Sequence, residues 1–295
     1  MSAACAWITH ADCHRHEMGE GHPECPERLD AISDHLLATG LMQLLVPYDA
    51  PLATAEQLER AHTALHVREM LAAAPAEGYV RLDPDTSMCP GTIPAALRAA
   101  GAAVLATDLV MRGEVGRAFC AVRPPGHHAT RDAPMGFCLF NNVAVGLRHA
   151  LAAHGLRRVA LIDFDVHHGN GSEDILAGDE RVLMVSTFQS GLYPFAGDEP
   201  RASNMANVGL PAGATGEALQ EAFDCVWKPR IDEFRPEMIF VSAGFDAHRA
   251  DDMAGMRWVE EDFAWITRRI VELAERHCRG RVVSSLEGGY HLFHL

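Results

Sequence analysis

Val159-Ala160-Leu161-Ile162-Asp163-Phe164-Asp165-Val166-His167 opens on a continuous apolar run and closes on three polar side chains at every second position. A short apolar run without polar alternation reads as a strand buried on both faces, the mark of a parallel sheet. Met238-Ile239-Phe240-Val241 repeats the pattern and leads into Gly244-Phe245-Asp246. Ligands of such sheets collect beyond the carboxyl ends of the strands, so the polar residues after both runs are site candidates. Side chains alternate faces along an extended chain. Asp163, Asp165 and His167 are therefore expected to point the same way.

Outward from this core, further apolar runs lie at Ala6 to Thr9, Ala118 to Val122, Val182 to Thr187 and Val282 to Leu286. Between them fall helical segments: Glu24 to Thr39 before Gly40, Pro94 to Arg112 before Gly113, Phe140 to His154 before Gly155, and Glu260 to Cys278 with Phe263, Ile266, Ile270 and Leu273 at helical spacing. The alternation predicts an α/β fold with one doubly wound, mostly parallel sheet flanked by helices, and residues 1–295 forming a single domain. Polar Gly/Pro stretches at 123–135, 167–172, 189–207 and 243–255 follow strands, which places the irregular loops at one end of the sheet.

The chain has 25 basic and 40 acidic residues, a net charge of -15. That balance repels phosphate backbones and argues against nucleic acid as a partner, while favouring cationic ones. Eight dispersed cysteines contain no C-x-x-C pair, so neither a structural zinc site nor a redox dithiol is expected, and reduced thiols suit a cytoplasmic location. Met1 to Trp7 lacks a basic leader region, and the apolar stretch Ala95 to Met111 is interrupted by Arg98 and Asp108, so no membrane span is expected.

Asp165 and His167 with Asp246 would offer two oxygens and a nitrogen, leaving a coordination position open as in catalytic zinc sites. His127-His128, set in a loop by Arg123-Pro124-Pro125-Gly126, are two core imidazoles or a proton-handling pair near a metal. In the second case Asp163 would orient one and Asn170 the other, and partners of different charge would give the imidazoles different basicity. Tyr290, after Gly288-Gly289, is a packed aromatic or a hydrogen-bond donor to an oxyanion.

The ordered motifs G-H-P-E-C-P-E-R-L (21–29), R-P-P-G-H-H-A (123–129), G-F-C-L-F-N-N (136–142), I-D-F-D-V-H-H-G-N-G (162–171), A-G-F-D-A-H (243–248) and E-G-G-Y (287–290) resemble the histone deacetylase, acetylpolyamine amidohydrolase and acetoin-utilisation superfamily on the arginase-like fold. R-P-P-G-H-H and Asn170 look like its class II branch and bacterial relatives. The resemblance implies one zinc ion on Asp165, His167 and Asp246. It makes His128 the general base and acid, His127 an electrostatic helper, Asp163 and Asn170 their partners, and Tyr290 the residue that polarises the amide carbonyl. Phe137 and Tyr193 match the walls of an acyl-lysine channel lined by Gly136 and Gly288, and Asp85 matches a rim aspartate that holds the substrate backbone. A structural potassium near Asp163, Asp165, His167 and Ser186 is also implied.

The implied reaction is acetamide hydrolysis on an acetylated lysine peptide, protein or related amine. Polyamine-specific relatives carry a gatekeeper glutamate where Met253 aligns, which favours acyl-lysine or a broad amide range unless Asp251 or Asp252 substitutes. Relatives also continue beyond E-G-G-Y into a terminal helix, whereas Leu295 stands five residues after Tyr290, so Tyr290 is expected to be weakly anchored. Three alternatives stay open: an acetylpolyamine amidohydrolase, a binuclear manganese ureohydrolase, and a non-enzymatic acyl-lysine binding module. The oligomeric state is open too, a homo-oligomer included.

Overall fold

Eight of the apolar and mixed runs form one sheet whose strands all pair in parallel. The computed structural model describes residues 4–295; Met1, Ser2 and Ala3, where the reading for a leader begins, lie outside the described residues. The strands are β1 (Cys5–Thr9), β2 (Leu45–Asp49), β3 (Val80–Arg81), β4 (Ser87–Met88), β5 (Arg117–Cys120), β6 (Val159–Asp163), β7 (Val182–Gln189), β8 (Met205–Leu210), β9 (Met238–Ala243) and β10 (Val282–Leu286). Their order across the sheet is β2-β1-β5-β10-β9-β6-β7-β8, with β3 and β4 forming a separate antiparallel ribbon. The chain winds outward in both directions from β5, β10, β9 and β6. That reversal of order is where such sheets open a crevice.

Alternate residues of the central strands feed two apolar layers. Val159, Leu161, Met238 and Phe240 pack with the helices Thr92–Arg112 and Asn142–Ala153, whereas Ala160, Ile162, Ile239 and Val241 pack against the helix Glu260–Cys278 and the segment around Trp227. Strands buried on both faces explain why these runs show no polar alternation.

Several boundaries differ from expectation. β6 ends at Asp163, and Asp165, Val166 and His167 form a bend, because Asp165 Oδ1 accepts the His167 N–H at 2.8 Å. Asp165 and His167 converge through this turn rather than through strand pleat. The helix Thr92–Arg112 starts two residues before Pro94, which sits in the first turn where its missing N–H costs nothing. This helix is long and apolar enough to pass for a membrane span, contrary to the reading of its sequence, yet two thirds of it is buried inside the fold as a core helix.

Just beyond the carboxyl ends of β5 and β10 lies a charged core. Glu24, Arg28 and Arg123 are fully buried. Arg123 donates to both carboxylate oxygens of Glu24 and to the carbonyls of Cys13 and His16, while Arg28 donates to Glu24 at 3.1 Å. Burial pushes the Glu24 carboxyl up, but Arg123 above all, then His16 and Arg28, hold it at about 2. A folded value below the unfolded ~4.3 means that this group stabilises the protein above that pH and that the contribution is lost as pH falls toward about 2. Glu24→Gln is expected to cost ~3–5 kcal/mol at pH 7, since it leaves buried guanidinium groups without their countercharge. Urea unfolding measures this. The cost should shrink as pH is lowered through the acid range, and a pH-independent difference would contradict the assignment.

Candidate active site and metal centre

The four polar fragments follow four adjacent strands: Arg123 to His128 after β5, Glu287 to Tyr290 after β10, Gly244 to Asp246 after β9, and Phe164 to Asn170 after β6. Neighbouring parallel strands thus deliver them to one end of the sheet.

Asp165, His167 and Asp246 meet there, all buried, with candidate ligand atoms within 4.8 Å of one another. His167 Nδ1 lies 3.1 Å from Asp165 Oδ1 and 3.1 Å from Asp246 Oδ2. The carboxylates are fixed from behind: Val166 N–H donates to Asp246 Oδ1 at 3.0 Å and Gly288 N–H to Asp165 Oδ2 at 2.8 Å. A Cβ on Gly244 would collide with Asp165, and one on Gly288 with Asp246. Gly288 therefore serves close packing on the carboxylates and is not among the residues that line the adjoining cavity. Burial, then the charge of Asp165, holds the Asp246 carboxyl above the usual range. A divalent cation between two such carboxylates relieves that repulsion, so the donor set fits a metal.

Two other groups bring potential ligands together, Asp108 with His149 and His154, and His248 with Glu260 and His294. Arg60 donates to His149 Nδ1 at 2.5 Å, which puts the imidazole proton on Nε2, facing Asp108. Ala250 N–H donates to His248 Nδ1 at 3.2 Å, and His248 Nε2 lies 3.5 Å from Glu260 with no hydrogen-bond partner among the described residues.

The tandem histidines are buried with ring centroids 4.1 Å apart. His127 Nδ1 lies 3.1 Å from Asp163 Oδ2, and His128 Nδ1 lies 2.8 Å from Asn170 Oδ1. Burial opposes charge on His127, but Asp165 and Asp163 raise it to about 10. Burial lowers His128 well below its ordinary value, reinforced by the charges of His127 and His167. In the metal-free chain these surroundings favour the charged form of His127 and the neutral form of His128. The amide oxygen of Asn170 only accepts, so His128 carries its proton on Nδ1 and keeps a lone pair on Nε2.

A cavity of about 190 Å³ is lined by Asp85, His128, Gly136, Phe137, His167, Leu192, Tyr193, Met253 and Tyr290. Gly136 and Phe137 sit at φ 56° and 69° in the tight turn between Met135 and Cys138. A phenylalanine held in that left-handed region costs on the order of 1–3 kcal/mol, and such strain gathers at functional sites. Thr86 Oγ1 accepts the Phe137 N–H at 3.0 Å and donates to Asp85 at 3.1 Å, joining channel wall to rim. The Tyr193 ring stands edge-on to His128 at 5.2 Å, and that of Tyr290 edge-on to Phe137 at 5.9 Å.

Tyr290 is well anchored. Arg28 donates to the carbonyls of Gly289 and Glu287 and lies 4.8 Å from the centre of the tyrosine ring. Asp251 is buried and takes hydrogen bonds from main-chain N–H groups, so it does not reach the cavity as a gatekeeper.

Arg28, Thr86 and Glu287 had no role in the sequence reading. Glu287 accepts the N–H groups of Gly126 and His127 and the hydroxyl of Ser242, fixing the histidine loop from below. Burial above all raises it to about 7, against the opposing charge of His127. The only signal in the sequence was an acid directly after the apolar run of β10.

The histone deacetylase domain family matches residues 22–295. The chain is 39% identical over 278 residues to the histone deacetylase-like amidohydrolase of Pseudomonas aeruginosa, covering 92% of this chain and 73% of that protein. It is 36% identical over 294 residues to a protein of Archaeoglobus fulgidus named "Probable deacetylase", covering 96% and 80%. The crystal structure of the HDA15 HD domain superposes with a TM-score of 0.93 at 31% identity, covering 99% of this chain and 86% of that one.

Proposed function

The chain belongs to the histone deacetylase family, a family of deacetylases and amidohydrolases, and from that premise we propose that it is a zinc enzyme removing acetyl groups from lysine side chains. The observation that carries the reading is the cavity of about 190 Å³ that brings His128, His167 and Tyr290 together with the aromatic side chains of Phe137 and Tyr193. A small cavity with aromatic sides suits the apolar stem of an acyl-lysine. Met253, an apolar side chain, lines that cavity, and its alignment with the acidic gatekeeper of polyamine-specific relatives supports acyl-lysine over a polyamine.

Asp165, His167 and Asp246 would hold the zinc, which would supply Lewis acidity toward the amide carbonyl and lower the pKa of a water so that it can be deprotonated into a nucleophile. His128 takes the proton of the attacking water at Nε2 and delivers it to the leaving amine. His127, held by Asp163, keeps a positive charge beside the developing oxyanion, while Asn170 fixes the tautomer of His128. Tyr290 donates its hydroxyl proton in a hydrogen bond to the carbonyl oxygen. Asp85 at the rim accepts from the substrate main chain. A potassium ion near Asp163, Asp165, His167 and Ser186 belongs to the same reading, supported by the cross-strand pairing of buried Asp163 and Ser186.

The cationic flanks of acetylated lysine peptides suit the acidic chain, and nucleic acid does not. Eight free cysteines support a cytoplasmic location. The test compares acetyl-lysine peptides, acetylpolyamines and small acetamides on zinc-loaded protein by acetate release. Highest kcat/KM is expected for the peptides. A preference for acetylpolyamines would overturn the reading of Met253, and undiminished turnover after metal stripping would overturn the zinc assignment.

A further inference from the structure

The loop after β9 contains a buried carboxylate with no part in the chemistry above. Asp251 is 5% exposed, while its neighbour Asp252 faces solvent. Asp251 Oδ2 accepts the N–H of Tyr290 at 2.6 Å and that of His291 at 3.1 Å, and its Oδ1 accepts the N–H of Met253 at 3.0 Å. Its own N–H donates to the carbonyl of His248 at 2.9 Å, so the acceptor stands on a fixed turn. Hydrogen bonds from N–H groups to an ionised carboxylate are about twice as strong as neutral ones.

Tyr290 lies outside any helix or strand, so its main chain is set by such local contacts. Arg28 holds the preceding carbonyls and Phe137 borders the ring, whereas Asp251 holds the N–H of the tyrosine itself. The phenol oxygen stands at the far end of a long rigid side chain, where a small rotation at the backbone becomes a large displacement. The other oxygen of the same carboxylate sets Met253, which lines the cavity.

We propose that Asp251 is a positioning residue that ties the Met253 wall of the channel to the hydroxyl of Tyr290, so that channel width and carbonyl polarisation are set together. The proposal rests on the role assigned to Tyr290 above. An acyl group that displaces Met253 also draws on the carboxylate that holds Tyr290.

Asp251→Asn keeps the shape but offers one acceptor oxygen, and its amide group would face an N–H donor on the other side. It is tested in a double-mutant cycle with Tyr290→Phe on the zinc-loaded chain, following kcat, KM, bound zinc and thermal unfolding. Tyr290→Phe alone is expected to lower kcat by ~10²–10³-fold. Asp251→Asn is expected to lower kcat by ~10–100-fold, as loss of a supporting hydrogen bond does, and to raise KM because the Met253 wall loses its main-chain anchor, with zinc content unchanged. Combined, the two should fall no lower than Tyr290→Phe, because the atom that Asp251 positions is already gone. Losses that multiply in the double variant, or wild-type kcat in Asp251→Asn, overturn the proposal. Full turnover in Tyr290→Phe would instead overturn the role of Tyr290, and the proposal with it. Should Asp251→Asn not fold, Asp251→Glu takes its place in the cycle, since it keeps the charge but moves both acceptor oxygens by one methylene.

Discussion

Asp246→Asn is expected to give a folded protein that no longer retains zinc and whose turnover falls by ~10³–10⁴-fold, the several kcal/mol that a bound metal contributes to transition-state charge. Asp246 and Asp165 are both buried, and the charges of His127 and His167 offset Asp165 while His167 offsets Asp246. In metal-free protein Asp246 is the carboxylate that pays for this crowding: burial, then Asp165, raises its pKa. A folded value above the unfolded ~3.9 means that the group destabilises the metal-free protein as pH rises through that window, and that the penalty is absent at lower pH. Asparagine removes the penalty. Metal-free Asp246→Asn should therefore be as stable as metal-free wild type at neutral pH, or more so, while the thermal shift on adding zinc disappears. His167, raised to about 10 by Asp165 and Asp246 against the opposing effect of burial, must lose its proton to bind a metal. Zinc uptake by wild type should release protons into an unbuffered solution. Zinc retained by Asp246→Asn through dialysis would show that the ligand set is wrong.

The parts of this site that periodicity reveals are those next to uniformly buried strands. β6 and β9 were legible because both faces are covered, and the helix Glu260–Cys278 has the bounds read from its spacing. The edge strands were not: β2 contains Pro47 and is half exposed, and β8 carries Asn207 and Gly209. Edge strands lack the continuous apolar pattern because one side meets solvent. The bend at Asp165 to His167 was hidden for another reason, since alternation applies only while the chain stays extended and a side-chain hydrogen bond ends the strand at Asp163. Buried ionic groups were the least legible. Arg28, Glu24 and Glu287 look like surface residues by composition, and only the fold shows that they neutralise or cap one another under the site. Asp251 shares this fate. Read as a substitute gatekeeper, it is turned inward by three main-chain donors.

His128→Ala is expected to lower kcat/KM by ~10²–10⁴-fold, the usual contribution of a positioned proton-transfer group, without loss of zinc. The ring is not one of the three candidate ligands, and its Nδ1 proton is committed to Asn170. Its Nε2 is therefore the free basic atom on the cavity wall. Basicity there is set by neighbours as well as by burial, because the charge of His127 presses the pKa of His128 down. His127→Ala removes that charge, so the acid limb of the pH–rate profile should move to higher pH, while kcat at the optimum falls less than in His128→Ala. Asn170→Asp should move the limb the same way, as a carboxylate on Nδ1 stabilises the protonated ring. A limb that stays put in both variants would mean that His128 is not the titrating base.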